Sequence, residues 1–158
     1  MADAADLKSA AFGVRVRIPP PLPMDVLLGE AIMNKMSMSH EDYLEAIVML
    51  GGTTTTTVKS VDVANKLDVS KASVSKAVTY LRDNNYIQQA HYGDIALTQT
   101  GYDYGMAVYE RHQLLTTFLT RAVGIPVDVA EDEACKMEHA ISDESFKKWS
   151  AYIKGHNL

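Results

Sequence analysis

From about residue 39 onward, apolar and polar residues follow one another with the period of an α-helix. In the first such stretch, Ser39 is the predicted N-cap and apolar residues recur from Tyr43 to Leu50 at three- and four-residue spacings. This stretch therefore predicts a helix that stops at Gly51-Gly52. Similar spacings predict further helices at residues 60–67, 70–84, 100–121 and 127–141, and from residue 142 onward. The pattern predicts a mainly α fold.

Two of these predicted helices are joined by a turn of helix-turn-helix length. The first covers residues 60–67, Asp68-Val69 form the turn, and Ser70 caps the second helix. One side of the second helix is apolar. The other side carries small, hydroxyl-bearing and basic side chains, namely Lys71, Ala72, Ser75, Lys76, Thr79 and Arg82. Such side chains can enter a major groove and meet base edges and phosphates, although a solvated amphipathic helix would show the same pattern.

A short β-hairpin is predicted directly after this helix pair. Residues 86–89 and 94–98 flank a turn that contains Gly93. A hairpin in this position is typical of a winged helix-turn-helix domain, so it favours DNA binding. The tip of the wing, at His91, Tyr92 and Gly93, would then touch the minor groove or the DNA backbone.

The first 37 residues differ from the rest of the chain. They contain Pro19-Pro20-Pro21 and Pro23, a cluster that neither a helix interior nor a sheet accommodates. We predict a poorly ordered N-terminal extension at residues 1–37, a winged helix-turn-helix domain at residues 38–99 and a helical domain at residues 100–158.

The long helix predicted at residues 100–121 is apolar on two adjoining faces. Val108, Leu115 and Leu119 form one stripe, and a second stripe lies beside it. A helix of this kind requires a partner beyond its own domain. Helix-turn-helix proteins commonly dimerise to read two half-sites. We therefore expect a homodimer.

The composition is that of a soluble globular protein in a reducing compartment. The chain is 47% hydrophobic, yet it lacks the run of about 18 apolar residues that a membrane span requires, and its single cysteine cannot form an intrachain disulfide. We expect a cytoplasmic protein that does not associate with membranes.

Of its net charge of −5, much lies in residues 122–148, where seven acidic residues stand against three lysines. Residues 59–93 hold five basic residues against three acidic ones. This asymmetry suits a phosphate-facing lobe joined to a cation-collecting lobe, although a solvated acidic surface would give the same count.

One predicted helix carries three strong metal-binding side chains on a single face. Cys135, Glu138 and His139 stand at positions i, i+3 and i+4, so that they converge on a point that a divalent metal could occupy. Asp42 and Glu45 on the first helix and His112 on the long helix offer further ligand types. The sequence thus indicates a metal sensor that controls a DNA-binding module.

These motifs together resemble a known family. Residues 41–47, the winged helix, Leu97-Thr98-Gln99-Thr100-Gly101, residues 111–114 and residues 132–143 are similar, in this order, to the diphtheria toxin repressor family of metal-dependent transcriptional repressors. The length is similar to the two-domain, manganese-transport regulator branch of that family. The resemblance implies a repressor that binds operator DNA when loaded with Mn(II) or Fe(II) and that controls metal-uptake genes.

The resemblance also implies roles for particular residues. The implied metal ligands are Asp42, Glu45, His112, Cys135, Glu138 and His139. Cys135 matches the iron-responsive branch, whereas Asp42 matches the manganese branch, so the implied site is a hybrid. The implied DNA contacts are Ser70, Ala72 and Lys76, to which the exposed face of the helix adds Lys71, Ser75 and Thr79.

Two other classes of function are open to such a sequence. A winged-helix regulator could sense thiol oxidation through Cys135, or could respond to a small organic ligand. A metal-dependent hydrolase could use Glu138 as the base for a bound water. The sequence contains no phosphate loop or nucleophile elbow, and we therefore expect a protein that is not an enzyme.

Overall fold

The computed structural model of the protein describes residues 36–89 and 94–156. These residues form six α-helices, one π-helical segment and a three-stranded sheet. In chain order they are α1 (Met38–Met49), β1 (Val58–Lys59), α2 (Ser60–Leu67), α3 (Lys71–Asp83), β2 (Ile87–Gln89), β3 (Asp94–Leu97), α4 (Gln99–Thr117), the π-helical segment (Phe118–Val123), α5 (Val127–Glu138) and α6 (Asp143–Gly155). The prediction of a mainly α fold with a winged helix-turn-helix is confirmed.

The helix-turn-helix forms as the sequence predicts. Helix α2 ends at Asp68, which adopts a left-handed conformation with φ of 51°, a region that Asp and Asn tolerate better than other non-glycine residues. Ser70 then caps α3, because its hydroxyl oxygen accepts a hydrogen bond from the Ser73 backbone N–H at 3.1 Å. Val74 and Leu81 of α3 are buried in the core of this lobe.

The wing contains one strand more than the hairpin predicts. Strand β3 pairs antiparallel with β2 and, on its other edge, with β1, so that Val58 lies opposite Ile95. The side chain of Val58 is buried. A strand of two residues is too short to show an alternating pattern, so β1 escaped prediction. The predicted wing tip at His91, Tyr92 and Gly93 lies outside the described residues.

Two predicted helix starts are wrong by a few residues. The N-cap of α1 is Ser37 rather than Ser39, which lies within the first turn. Helix α4 was predicted to start at Thr100, but its N-cap is Thr98, whose hydroxyl oxygen accepts a hydrogen bond from the Gly101 N–H at 3.0 Å. In both cases two candidate hydroxyl residues stand two positions apart, and the earlier one has the extended backbone that a cap requires.

Helix α4 belongs to two hydrophobic cores. Met106, in its first half, packs with α1, α2 and α3, while Leu115, in its second half, packs with α5. We call the body formed by α1–α3 and the sheet the first lobe, and the body formed by α5, α6 and the second half of α4 the second lobe. The α-helix ends at Thr117, earlier than predicted, and the π-helical segment continues to Gly124, where φ is 83°.

Helices α1 and α4 approach each other closely at Gly105. A Cβ atom on this glycine would lie 2.9 Å from Val48 Cγ2 and 3.0 Å from the carbonyl oxygen of Leu44. A side chain at this position would therefore push the two helices apart. The absence of one brings the acidic residues of α1 within reach of α4 and α5.

The final helix begins where the sequence predicts. Ser142 caps α6 by accepting a hydrogen bond from the Ser145 N–H, and Phe146 is buried. Tyr152 is 53% exposed, and its ring stacks on the His156 ring. The buried side chain in this turn is Ile153.

Most of the predicted N-terminal extension, residues 1–35, lies outside the described residues. Met36 is described, and it is buried in the core of the first lobe. Among the described residues, no helix is both long and apolar enough to cross a membrane.

Candidate metal centre

Three helices bring the six predicted ligand residues to the boundary between the lobes. Helix α1 supplies Asp42 and Glu45, which lie on one face because they are three residues apart. Helix α4 supplies His112. The end of α5 supplies Cys135, Glu138 and His139. Side chains of both lobes therefore meet at one place.

Four of these side chains form a first cluster. Ligand atoms of Asp42, Cys135, Glu138 and His139 all lie within 4.8 Å of one another. His139 Nε2 is 2.7 Å from Asp42 Oδ1 and 3.3 Å from Glu138 Oε1. The cluster thus joins α1 to α5 through the His139 ring.

A second cluster consists of Glu45, His112 and Glu138, whose ligand atoms also lie within 4.8 Å of one another. His112 Nδ1 is 3.0 Å from Glu138 Oε2 and 3.6 Å from Glu45 Oε1. Glu138 belongs to both clusters, and its side chain is fully buried. The structure therefore brings all six predicted residues together around one carboxylate.

Burial and like charges change the proton affinity of the second cluster. Burial, followed by the charge of Glu138, raises the pKa of Glu45 to about 7. Burial acts to lower the pKa of His112, but the hydrogen bond with Glu138 and the charges of Glu45 and Glu138 outweigh it and raise that pKa. This arrangement therefore favours the protonated form of His112 beside the buried carboxylates.

The His139 ring is held still more strongly in its protonated form. Hydrogen bonds with Asp42, Cys135 and Glu41 raise the pKa of His139 to about 12, against a smaller opposing effect of burial. Each ring nitrogen has its own carboxylate, since Nδ1 lies 2.6 Å from Glu41 Oε2. An imidazolium ion is therefore the species that this geometry stabilises.

Two buried carboxylate oxygens nevertheless have no hydrogen-bond partner in the described part of the chain. They are Glu45 Oε1 and Glu138 Oε1. The contact of Glu138 Oε1 with His139 Nε2 at 3.3 Å is an ion-pair distance without hydrogen-bond geometry. Leaving a charged oxygen buried without a partner is costly. The two oxygens indicate that the cluster can bind a cation.

The size and chemistry of the clusters fit a divalent transition metal. Ligand atoms on opposite sides of such an ion, each about 2.0–2.3 Å from it, stand about 4–4.6 Å apart, and the ligand atoms of each cluster all lie within 4.8 Å of one another. Carboxylate oxygens and imidazole nitrogens suit Mn(II) and Fe(II), and the thiol of Cys135 adds a soft ligand. The residues present therefore fit the ion that the sequence predicts.

Sequence reasoning missed two residues beside the clusters. Glu41 bonds to His139, and its other carboxylate oxygen accepts a hydrogen bond from the Tyr104 hydroxyl at 2.5 Å. Burial acts to raise the pKa of Glu41, but the hydrogen bonds from His139 and Tyr104 outweigh it and lower that pKa. Glu41 shares a face of α1 with Glu45, four residues further on, but this spacing does not reveal its contact with His139.

The predicted DNA-contacting residues lie on the free side of α3. Ser70, Lys71, Ala72, Ser75, Lys76 and Thr79 are all exposed. Next to them, the Tyr80 ring stacks on the His40 ring of α1 with 3.9 Å between ring centroids and 8° between planes. The helix that carries Asp42 and Glu45 is thus in direct contact with the predicted recognition helix.

The fold and the cluster define a class of protein, a winged helix-turn-helix protein with metal-binding side chains between two lobes. Two family models match consecutive parts of the chain. The N-terminal DNA binding domain of the iron dependent repressors matches residues 35–95, and their metal binding and dimerisation domain matches residues 98–155. The chain belongs to the iron-dependent repressor family, as the motifs indicated.

Individual relatives agree with this assignment. An uncharacterised helix-turn-helix transcriptional regulator of Methanocaldococcus jannaschii is 29% identical over 119 residues, which are 75% of this chain and 95% of that protein. The diphtheria toxin repressor of Corynebacterium diphtheriae is 31% identical over 122 residues, which are 77% of this chain and 54% of that protein.

A solved structure agrees as well. It shows a manganese-dependent transcriptional repressor in complex with manganese, with 29% identity and a TM-score of 0.65 over 73% of this chain and 52% of that one. The chain spans about half the length of the diphtheria toxin repressor and of this manganese-dependent repressor.

Proposed function

We propose that this protein is a transcriptional repressor that binds operator DNA as a homodimer when loaded with Mn(II) or Fe(II), and that it controls metal-uptake genes. One observation carries the proposal most directly. Two buried carboxylate oxygens, Glu45 Oε1 and Glu138 Oε1, lack hydrogen-bond partners in the described residues, and they lie where the two lobes meet. We assign the protein no catalytic step.

The proposed metal ligands are the six residues of the two clusters, namely Asp42, Glu45, His112, Cys135, Glu138 and His139. A bound divalent metal would supply the positive charge and the directional bonds that these carboxylate, imidazole and thiolate groups require. Glu138, which belongs to both clusters, would contribute one oxygen to each. The unpaired oxygens of Glu45 and Glu138 would then have a partner.

The position of the ligands links metal binding to DNA binding. Asp42 and Glu45 lie on α1, in the lobe that carries the recognition helix, whereas Cys135, Glu138 and His139 lie on α5 in the other lobe. Simultaneous ligation by both sets would hold α1 against α5. Because the His40–Tyr80 stack connects α1 to α3, the direction of the recognition helix would be held as well. In a dimer this would fix the distance between two recognition helices, and so favour the state that matches two half-sites.

The proposed DNA contacts use the exposed face of α3. Lys71 and Lys76 would meet phosphates or a guanine edge, while Ser70, Ala72, Ser75 and Thr79 would approach base edges closely. The proposed homodimer would form through the second lobe. Val123, Val127 and Val129 are exposed there, in the region that matches the metal binding and dimerisation domain.

The test is fluorescence-anisotropy binding of chelator-treated protein to the DNA upstream of its own gene. Mn(II), Fe(II) under anaerobic conditions and Zn(II) are titrated separately. We expect binding that appears with Mn(II) or Fe(II), because metal ligation would select the arrangement of lobes that fits DNA. Equal binding with and without metal would contradict the proposal.

A pair of variants provides the control. Glu138→Gln keeps the shape of the buried side chain but removes its charge, and it should abolish the metal-dependent increase in DNA binding. Glu133→Gln makes the same chemical change at an exposed position on the same helix and should leave that increase intact. Equal loss in both variants would point to a general effect of charge rather than to the cluster.

A further inference from the structure

We infer that Glu41, itself held by Tyr104, is a positioning residue that orients the His139 ring so that Nε2 faces the other ligands. Neither Glu41 nor Tyr104 belongs to the two clusters of ligand atoms. The inference rests on the proposed function, because it concerns how the proposed metal centre is arranged.

The two nitrogens of His139 face different sets of groups. Nε2 points into the cluster, 2.7 Å from Asp42 Oδ1 and 3.3 Å from Glu138 Oε1. Nδ1 points away from it and lies 2.6 Å from Glu41 Oε2. Since Glu41 accepts the hydrogen of Nδ1, the nitrogen that remains available for ligation is Nε2. Proteins commonly select the ligating nitrogen of a histidine in this way. A hydrogen bond from one ring nitrogen keeps the hydrogen there and leaves the other nitrogen for the metal.

The orientation of Glu41 is in turn fixed by Tyr104. The Tyr104 hydroxyl donates a hydrogen bond to Glu41 Oε1 at 2.5 Å, so that each carboxylate oxygen of Glu41 has a different donor. The Tyr104 ring packs edge-on against Tyr86, with 5.8 Å between ring centroids. The chain of contacts therefore starts from an aromatic pair that packs against the core of the first lobe and ends at a proposed ligand in the second.

This chain of contacts crosses the boundary between the lobes without using a metal ion. Glu41 lies on α1, Tyr104 on α4 and His139 at the end of α5. A carboxylate that accepts from the far nitrogen of a ligating histidine also makes that histidine a better ligand. Glu41 would therefore raise metal affinity without contacting the metal.

The experiment compares two variants with two matched controls. In Glu41→Gln, an NH2 group replaces one of the two carboxylate oxygens and the negative charge is lost, so the two oxygen acceptors that face Tyr104 and His139 cannot both be kept. Tyr104→Phe removes only the hydroxyl. The control for Glu41→Gln is Glu133→Gln, at an exposed carboxylate of α5. The control for Tyr104→Phe is Tyr102→Phe, which removes a hydroxyl from the same helix. The measured quantity is the dissociation constant of Mn(II) for the chelator-treated full chain.

Glu41→Gln should weaken Mn(II) binding by about 10–100-fold, the usual effect of losing a partner of a ligating histidine. Tyr104→Phe should weaken it less, and should cause no further loss in the Glu41→Gln background. Both controls should bind as the unchanged protein does. Mn(II) affinity that is unchanged in Glu41→Gln, while His139→Ala loses it, would overturn the inference.

A second readout tests the orientation of the ring directly. In the Zn(II)-loaded protein, long-range proton–nitrogen correlation spectra should show His139 with its hydrogen on Nδ1 and the metal on Nε2. In Glu41→Gln the Nδ1 hydrogen should exchange faster with water. A spectrum with the metal on Nδ1 would contradict the inference. Failure of the unchanged protein to bind Mn(II) or Zn(II) at all would instead contradict the proposed function.

Discussion

At the residue scale, the centre places buried carboxylates beside two histidine rings whose raised pKa values favour the protonated form. His139 lies between Glu41 and Asp42, and His112 lies between Glu45 and Glu138. Metal ligands must lose their protons before they can bind. Because the raised pKa values of His112 and His139 favour their protonated forms, hydrogen ions and a metal ion should compete for these rings.

This competition predicts how Mn(II) affinity depends on pH. The pKa of His139 is raised to about 12, so its proton is still present at neutral pH and must leave when Nε2 binds a metal. The release of one proton strengthens binding about tenfold per pH unit, or about 100-fold between about pH 6 and about pH 8. Glu45, whose pKa is raised to about 7, should make the dependence steeper below that pH.

The measurement is a titration of Mn(II) at both pH values in non-coordinating buffers. The stability of the metal-free protein should change in the opposite direction. The raised pKa of His139 stabilises the fold fully below about pH 6.5, and this contribution declines as the pH rises towards the folded pKa. The raised pKa of Glu45 means that its ionisation also destabilises the fold as the pH rises. Mn(II) affinity that does not change with pH would show that His139 is not a ligand.

Cys135 offers a prediction about metal choice. Its thiol is the soft proposed ligand in a cluster otherwise made of carboxylates and imidazoles, and a thiolate favours Fe(II), Co(II) and Zn(II) over Mn(II). Cys135→Glu should therefore shift the preference towards Mn(II). The ratio of the dissociation constants for Mn(II) and Zn(II), measured by competition with a chelator, reports the shift. An unchanged ratio would mean that the thiol does not contact the metal.

At the scale of single elements, the proposed DNA-contacting face lies on α3, apart from the proposed metal centre. Lys76 is exposed on α3, and α3 contributes no residue to either cluster. We expect Lys76→Ala to weaken DNA binding while Mn(II) affinity stays the same. Lys76 is proposed to contact either a guanine edge or a phosphate. If it contacts a guanine edge, the loss of DNA-binding free energy should be about 1–3 kcal/mol. If it neutralises a phosphate, the salt dependence of DNA binding should become shallower.

The matched control is Lys147→Ala, which removes an exposed lysine from α6 in the other lobe. This variant should bind DNA as the unchanged protein does. Anisotropy titrations of both variants at two salt concentrations, with Mn(II) present, make the comparison. A loss of Mn(II) affinity in Lys76→Ala would contradict the separation between the two functions.

The elements also show what could be predicted from the sequence. The bounds of α2 and the start of α3 follow from local signals, a left-handed Asp68 and a capping Ser70. Strand β1 was missed because it forms only through pairing with β3, a contact between residues far apart in the chain. The starts of α1 and α4 were misplaced because the choice between neighbouring hydroxyl residues depends on backbone conformation.

The candidate centre was predicted more completely than the elements around it. The spacing of Cys135, Glu138 and His139 on α5 is a local signal, and the family motifs supplied the ligand types on α1 and α4. Glu41 was missed although it neighbours Asp42, because its role depends on the direction of the His139 ring, which no spacing along the chain reveals. The sequence thus indicated which residues meet but not which atoms face one another.

At the scale of the whole molecule, the distance between α1 and α4 depends on Gly105. Gly105→Ala would place a Cβ atom 3.0 Å from the Leu44 carbonyl oxygen and 2.9 Å from Val48 Cγ2. Because the backbone cannot move aside as a flexible side chain can, we expect a loss of about 1–3 kcal/mol in the free energy of unfolding. Mn(II) affinity should fall too, since α1 would carry Asp42 and Glu45 away from α5.

Gly155→Ala is the control for this substitution, because a Cβ atom at Gly155 would meet nothing within 4 Å. Urea unfolding of both variants in the presence of a chelator measures the two free energies, and a Mn(II) titration measures the affinity. Equal stability of the two variants would show that α1 and α4 can separate at no cost.

Helix α4 runs without a break from one hydrophobic core into the other. Its 19 residues span about 28 Å at 1.5 Å per residue. Met106 completes the packing of α1–α3, whereas Leu115 packs with α5. A cut at the junction between the two family domains, near residue 97, would therefore leave the DNA-binding fragment with an uncovered apolar face on α1. The two halves of this protein cannot be exchanged between relatives as independent cassettes, and a working chimera would have to inherit α4 whole, together with the helix it covers.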